Sequence, residues 1–542
     1  MTGDKLRPLP FALLAAIAAS IFLVGLGRLP LLGRDEALYA EAGREMVAGR
    51  DWVTPRVNGG PFFEKPPLYY WLAAVSYCTF GVTPFAARFP AALMAILTVL
   101  LTAQIGARIW GERAGLLAGL ALATSLQMAM IGRMGIMDVP LTFLTLLALL
   151  AYERWRNGGR FVGSAGFGLC LGLAVLLKGA AGLIPAGVVV VDLIIRALWK
   201  TRVEYSRVHL VGAAFLSFCV AVLTAAPWFL VMSARHGGAF GSKLFLHEHV
   251  TRVLQPMQGH GGPFWTYLPL IFVSFFPWVI LLPSSLLHRE EEGDQARFWR
   301  GLCVVWALCV LISFSAIRTK LPGYVTPLFP AMALLVGPEL ARGVSRRTWT
   351  AVLAGTVVLA ALVALLPLAA FRIGARVGAL EEARLVTMPT VIWASGYLIV
   401  GLGAGAALCG RPRNSVGTLA LGQMTTVTAL LFGILPLLSP YLGGGSARLA
   451  ELAQRELPGS RVILYGTRPE NVNFALKRTV PTFDWQQQVE LEKELRAAPT
   501  ALIAPAEQAA FWHRLGARRS WREGDRVLLD MPRLGGGKEA PR

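Results

Sequence analysis

LLGRDEALYAEAGREM, residues 31–46, follows directly on the first apolar run of the chain and carries Arg34, Asp35, Glu36, Glu41, Arg44 and Glu45. What surrounds this charged stretch decides the fold. Apolar runs of about twenty residues, the length that crosses a bilayer as a helix, recur on either side of it. Of the 542 residues 55% are hydrophobic and 15% are charged, and the mean hydropathy is +0.55. Soluble core helices would break such runs with periodic polar faces, so an α-helical polytopic membrane protein is the expected class.

Thirteen spans are predicted, near 9–27, 86–107, 114–131, 136–153, 162–178, 180–198, 208–231, 264–287, 299–317, 323–341, 348–371, 388–409 and 416–438. Lys5 and Arg7 precede the first run without a small-residue cleavage site, which reads as an uncleaved helix. Lys and Arg gather in alternate connections: Arg108/Arg113, Arg154/Arg156/Arg160, Arg196/Lys200/Arg202/Arg207, Arg342/Arg346/Arg347 and Arg411/Arg413. Positive charge marks the cytoplasmic side, so loops 28–85 and 232–263 and the C-terminus are expected outside. The net charge of +20 suits anionic lipids, and no nucleic-acid partner is expected. Five of the six cysteines fall in predicted spans and none in the last hundred residues, so no disulfide framework is expected there.

Two regions follow from composition: a membrane domain over 1–440 and a soluble α/β domain over 441–542, hinged at the glycines 443–445. RVILYG (461–466), TALIAPA (500–506) and DRVLLDMP (525–532) read as strands. Segments 470–478, 487–498 and 507–516 read as helices, and the tail RLGGGKEAPR as unstructured.

Acids and bases cluster where the spans meet the predicted external face. Asp35 opens a helical pattern ending near Gly49, expected to lie as an amphipathic helix on the membrane surface; a plain helix cap is the competing role for its carboxylate. FFEKPPLYYW (62–71) holds Glu64 and Lys65 at the mouth of a helix beginning near Pro67, a setting that suits phosphate. GRMGIMDVPLTF (132–143) adds Arg133 and Asp138. KLFLHEHVTRVLQPMQGHGG (243–262) adds His247, His249 and Arg252; AIRTKLPGYVTP (316–327) adds Arg318, Lys320 and Tyr324. A transporter would carry such groups nearer the bilayer midplane. Their placement at one face favours an enzyme working on lipid-linked substrates over a flippase or a scaffold.

Residues 35–71, DEALYAEAGREMVAGRDWVTPRVNGGPFFEKPPLYYW, closely resemble the first external loop of the lipid A 4-amino-4-deoxy-L-arabinose transferases, members of the GT-C class related to protein O-mannosyltransferases. GRMGIMDVPLTF, LLKGAAGLIP (176–185), HEHVTRV (247–253) and RTKLPGYVTPLFP (318–330) support the resemblance, which is strong over about 1–345. It implies a GT-C fold, undecaprenyl phosphate-linked aminoarabinose as donor and a lipid A phosphate as acceptor. It also implies a monomer in the bacterial inner membrane with a periplasmic active site, and resistance to polymyxin-type peptides. A GT-C transferase with another polyprenyl-phosphate sugar and a protein or glycan acceptor is the nearest alternative.

Under this resemblance Asp35, Asp138 and Glu64 are the candidate catalytic carboxylates, with Asp35 the principal one. Lys65, Arg252, Lys320 and Tyr324 are candidates for the donor phosphate, whose negative charge grows as its bond to the sugar breaks. Glu36, Arg133 and Arg318 are candidates for the acceptor, and Arg44, Arg50, Arg56 and Arg88 could also receive lipid A phosphates. No cofactor is expected to be required; Glu64 and His249 are candidate ligands for a structural divalent ion, zinc or magnesium.

Overall fold

The computed structural model describes residues 7–158, 160–199, 207–244, 261–287, 293–377, 387–410 and 415–533. Helix forms in every predicted span window, because an apolar segment in hydrocarbon must satisfy its backbone internally. Among the described residues seven helices are long and apolar enough to cross a membrane. An eighth is added if Phe264–Phe275 and Trp278–Leu286, bent by 105°, count as one span. Pro8–Leu23 and Trp393–Leu408 are shorter apolar helices. The chain is thus a multi-pass membrane protein, and the windows near 114–131 and 136–153 contain shorter or less apolar helices than a full crossing requires.

The chain divides into two compact units. The first comprises Met1–Val24, Phe63–Leu68 and Pro90–Ile434, and the second Gly25–Phe62, Tyr69–Phe89 and Leu435–Arg542.

The first unit is a helical assembly whose close packing depends on small residues, as is usual between helices in lipid. A Cβ on Gly115 would lie 2.3 Å from the Ala103 carbonyl oxygen. Only glycine permits that approach between Glu112–Thr124 and its neighbour Pro84–Trp110.

The second unit combines first-loop segments with a five-stranded sheet. Strands β3 (Arg461–Tyr465), β4 (Thr482–Phe483), β5 (Thr500–Pro505), β6 (Ser520–Glu523) and β7 (Arg526–Met531) stand in the order β4-β3-β5-β7-β6. β3 runs parallel to β4 and β5, whereas β7 runs antiparallel to β5 and β6. Ile463, Leu502 and Leu529 face one apolar core, and Val462, Leu464 and Leu528 face the other, by the two-residue alternation of a strand. The three long strands and three helices read from sequence are present. The two-residue β4, the edge strand β6 and the helix Gly445–Glu456 add to them.

The first-loop helix, Gly33–Gly49, departs from expectation. It does not lie on a surface with one face exposed: Glu36 through Arg44 are all buried, as is Met46. Its charges are neutralised internally. Glu36 is fully buried and forms a two-pronged pair with Arg88, at 2.8 Å on each prong. Arg88 also donates to the carbonyls of Leu26, Leu29 and Pro30 at 2.7–2.9 Å. Glu41 holds Arg44 by two bonds of 2.7 and 2.8 Å. Burial pushes the Glu41 carboxyl up to about 7 against the pull of that guanidinium. The helix ends with Arg50, not Gly49, in the left-handed conformation (φ 53°). Small hairpin strands β1 (Arg56–Val57) and β2 (Gly60–Pro61) follow, turning on Asn58 at φ 57° and Gly59 at φ 77°.

Candidate functional site

In the first unit, three sequence segments fold so as to bring a carboxylate, an ammonium and a phenol together. GRMGIMDVPLTF ends one short helix at Ile131 and starts the next at Asp138. Pro140 is tolerated because it sits in the first turn, where its missing N–H has no helical partner to lose. LLKGAAGLIP ends the helix Arg160–Lys178 by placing Gly179 at φ 59°. The chain then makes a 3-10 turn, Gly179–Leu183, and restarts as Ile184–Leu198 with Pro185 in its first turn. A Cβ on Gly182 would lie 2.3 Å from the Ala174 backbone, so the reversal requires glycine there. RTKLPGYVTPLFP makes a second 3-10 turn, Pro322–Leu328, that leads into Phe329–Arg342. Gln127 Nε2 anchors this turn by donating to the Pro322 carbonyl at 2.7 Å and to Thr326 Oγ1 at 3.0 Å.

Lys178 Nζ donates to Asp138 Oδ1 at 2.7 Å and lies 5.0 Å from the centre of the Tyr324 ring. The two charged side chains are only 10% and 11% exposed, so Coulomb attraction between them is little screened. Lys178, Tyr324 and the buried Lys65 are among the residues that line a cavity of about 460 Å³. The remaining wall is nearly all apolar, including Leu183, Ile184, Val191, Phe314 and Ile317. Phe63, two residues before Lys65, is fixed by ring contacts to His236 (5.0 Å) and Phe240 (5.6 Å). The chemistry is that of an amphiphile site: a mostly apolar lining that also presents two cations.

Gly323 limits this geometry. A Cβ there would meet the Asp138 carboxylate at 2.7–2.9 Å, displacing it from Lys178. For the donor lipid that the resemblance implies, Gly323→Ala is expected to lower affinity about tenfold, an energy of about 1.4 kcal/mol, with the protein still accumulating in membranes. Titration of detergent-purified protein with labelled undecaprenyl phosphate checks this.

The other predicted residues are distributed differently. Asp35 lies in the second unit, in the first turn of Gly33–Gly49, partly exposed. Its carboxylate has no protein partner among the described residues and does not cap the helix, whose N-cap is Leu32. Arg318 is exposed and likewise unpartnered among the described residues. Glu64 is half-buried and engaged in an interaction within the protein.

Three expected ligands serve the scaffold instead. Glu36 is occupied by Arg88. Arg133 donates to the carbonyls of Ile21 (2.6 Å) and Val24 (2.7 Å), closing the end of the helix Pro8–Leu23. Lys320 Nζ donates to the carbonyls of Phe314, Ser315 and Ile317, closing the end of Asp294–Ala316. A cation at a helix C-terminus satisfies carbonyls that have no helical donor, and that explains the bonds of both Arg133 and Lys320. Arg44 and Arg88, expected among the surface cations, are buried in ion pairs.

Arg252 and His249 lie outside the described residues. Among the described residues no three His, Cys, Asp or Glu side chains are grouped to hold a metal ion. Lys178 is the residue that sequence reading left out of the site. Its position in LLKGAAGLIP was the available signal.

Residues 64–225 match the family described as dolichyl-phosphate-mannose-protein mannosyltransferase. The crystal structure of ArnT from Cupriavidus metallidurans bound to undecaprenyl phosphate aligns at 25% identity and a TM-score of 0.77, covering 97% of this chain and 99% of that one. This chain has the GT-C fold. The GT-C assignment agrees with proteins named undecaprenyl phosphate-alpha-4-amino-4-deoxy-L-arabinose arabinosyl transferase. The one from Serratia proteamaculans is 30% identical over 60% of this chain and 58% of its own length. The one from Aeromonas hydrophila is 32% identical over 58% of this chain and 57% of its own length. The chain therefore aligns with under three fifths of the length of these relatives.

Proposed function

We propose that the protein transfers 4-amino-4-deoxy-L-arabinose from undecaprenyl phosphate to a phosphate of lipid A, at the periplasmic face of the bacterial inner membrane. The observation that carries this reading is the mostly apolar cavity whose lining includes Lys65, Lys178 and Tyr324. The polyprenyl chain occupies the hydrocarbon wall, and the phosphate meets the two ammonium groups. The likeness to an undecaprenyl phosphate-bound ArnT supports the donor, and the names of the curated relatives support the sugar.

In the reaction the C1–O bond to the donor phosphate breaks and its electron pair leaves with the phosphate oxygen. An oxygen of the lipid A phosphate forms the new bond to C1. The leaving phosphate passes from diester monoanion to monoester dianion, while the acceptor passes in the opposite direction. No net proton transfer is needed, so the protein's task is electrostatic. Lys65 and Lys178 stabilise the leaving dianion. Asp138 holds Lys178 in position, and Tyr324 lines the cavity. Asp35 is the catalytic carboxylate, stabilising positive charge that develops on the sugar as its bond to phosphate breaks.

The cavity reading has a direct test. Gly187 lines the cavity, and a Cβ there meets nothing within 4 Å. Gly187→Trp adds apolar bulk at a lining position that itself carries no charge. It is expected to weaken undecaprenyl phosphate binding at least about tenfold, since a polyprenyl tail binds through buried apolar area. Unchanged binding by the folded variant would remove the lipid from this cavity.

A further inference from the structure

We propose that the C-terminal α/β segment is a brace for the helix that carries Asp35, with Phe474 and Asn473 as positioning residues for catalysis. This rests on the reading of Asp35 given above.

All the contacts concerned lie within the second unit. The short helix Glu470–Leu476 faces two ways. Val472 and Leu476 pack into the sheet's own core. Phe474 does not. It is 4% exposed, and its cluster otherwise consists of the first-loop residues Leu31, Ala40, Ala73 and Tyr77 with Ala86 and Ala87 from the start of Pro84–Trp110. Its ring lies 6.0 Å from that of Tyr77, whose hydroxyl donates to the Ala40 carbonyl at 3.1 Å, near the middle of Gly33–Gly49.

Asn473 is fully buried and makes the second attachment. Its Nδ2 donates to Asn58 Oδ1 at 2.6 Å, while its own Oδ1 accepts from Val480 N–H at 2.9 Å. Asn58 sits on the hairpin turn, and the neighbouring Gly59 N–H donates to the Glu45 carboxylate at 3.1 and 3.2 Å. That link leads back to the last turns of the same helix. The third attachment is Arg44 Nη1 donating to the Lys477 carbonyl at 3.3 Å. Lys477 is left-handed (φ 56°), which ends its helix there.

The helix is thus held at Ala40, Arg44 and Glu45, about 7 to 15 Å along its axis from Asp35 at a rise of about 1.5 Å per residue. A helix is stiff over that length, so a small tilt at the braced end moves the carboxylate. Displacing a catalytic group by about 1 Å lowers turnover by up to about a hundredfold.

The test uses the full chain in nanodiscs, with transfer kinetics against donor concentration and a separate titration with labelled undecaprenyl phosphate. Phe474→Ala empties the shared cluster but leaves the sheet core intact. Asn58→Gly removes only the amide contact, because glycine keeps the left-handed turn. Phe474→Leu refills the cluster, and Asp35→Asn is the reference. The brace predicts that Phe474→Ala lowers kcat about tenfold and Asn58→Gly about threefold. Undecaprenyl phosphate binding stays within about twofold of wild type, and Phe474→Leu recovers most of the rate. If Phe474→Ala fails to accumulate, Asn58→Gly decides. Wild-type kcat in Phe474→Ala and Asn58→Gly beside an inactive Asp35→Asn would overturn the brace, as would parallel loss of donor binding and kcat. An active Asp35→Asn would instead overturn the reading of Asp35 on which the brace rests.

Discussion

Asp35→Asn is expected to abolish detectable sugar transfer, a loss of at least about a hundredfold, while leaving folding and donor binding intact. The clean separation follows from the setting of the residue. Its carboxylate is partly exposed and has no protein partner among the described residues, so its charge does no structural work there. Substitutions at such positions change stability by about 0.5 kcal/mol or less. Neighbouring acids behave differently: Glu36 and Glu41 are locked to Arg88 and Arg44, and neutralising either removes the nearest carboxylate partner of a buried guanidinium. An electrostatic group aimed at developing charge contributes about a hundredfold to a thousandfold in rate. Asparagine keeps the shape and removes the charge. Transfer measured in proteoliposomes with purified donor checks this, and activity within about threefold of wild type would remove Asp35 from the chemistry.

Lys178→Met is expected to be nearly as damaging, through two separable effects. It removes an ammonium from the cavity lining, and it strands the Asp138 carboxylate at 11% exposure. Breaking one side of a buried ion pair costs about 3–5 kcal/mol, whereas replacing both sides with uncharged groups is often near neutral. The single variant should therefore show a lowered Tm as well as weak donor binding. The double variant Lys178→Met with Asp138→Asn should regain most of the Tm. It should still bind undecaprenyl phosphate at least about tenfold more weakly than wild type, because the cation remains absent. Recovery of both properties in the double variant would make the pair a structural device. Differential scanning fluorimetry and lipid titration on the same preparations distinguish these results.

Much of the architecture was legible because hydrophobicity dictates it locally. Each membrane window is an apolar run, and β3, β5 and β7 are short apolar runs bounded by turn residues. What escaped was mostly non-local. Glu36 and Arg88 are 52 positions apart, and Asp138 and Lys178 are 40 apart, so spacing could not join them. The first-loop helix looked amphipathic because its charges could not be seen to neutralise one another. Phe474 and Asn473, which enclose it, are contributed from more than 400 residues away, as the 415-residue separation of Asn58 and Asn473 shows. Arg133 and Lys320 were read as free cations because sequence does not reveal whose carbonyls a side chain will meet. β4 has only two residues, too few to show alternation.

The charged stretch that follows the first span thus has a physical explanation in two parts. Glu36, Arg44 and Glu45 bind the helix to the rest of its unit, Glu41 holds Arg44 in place, and Asp35 is left available. That division of labour supports a protein that fixes one carboxylate rigidly and uses it.

Mass spectrometry of lipid A tests the central claim most directly. The host is a polymyxin-sensitive Gram-negative strain that makes the aminoarabinose donor but lacks its own transferase. It expresses wild type or Asp35→Asn at equal membrane levels. The account predicts an aminoarabinose addition on lipid A phosphate with wild type and none with the variant. Unmodified lipid A beside well-expressed wild-type protein would contradict the lipid A assignment and leave a GT-C protein acting on a different sugar or acceptor.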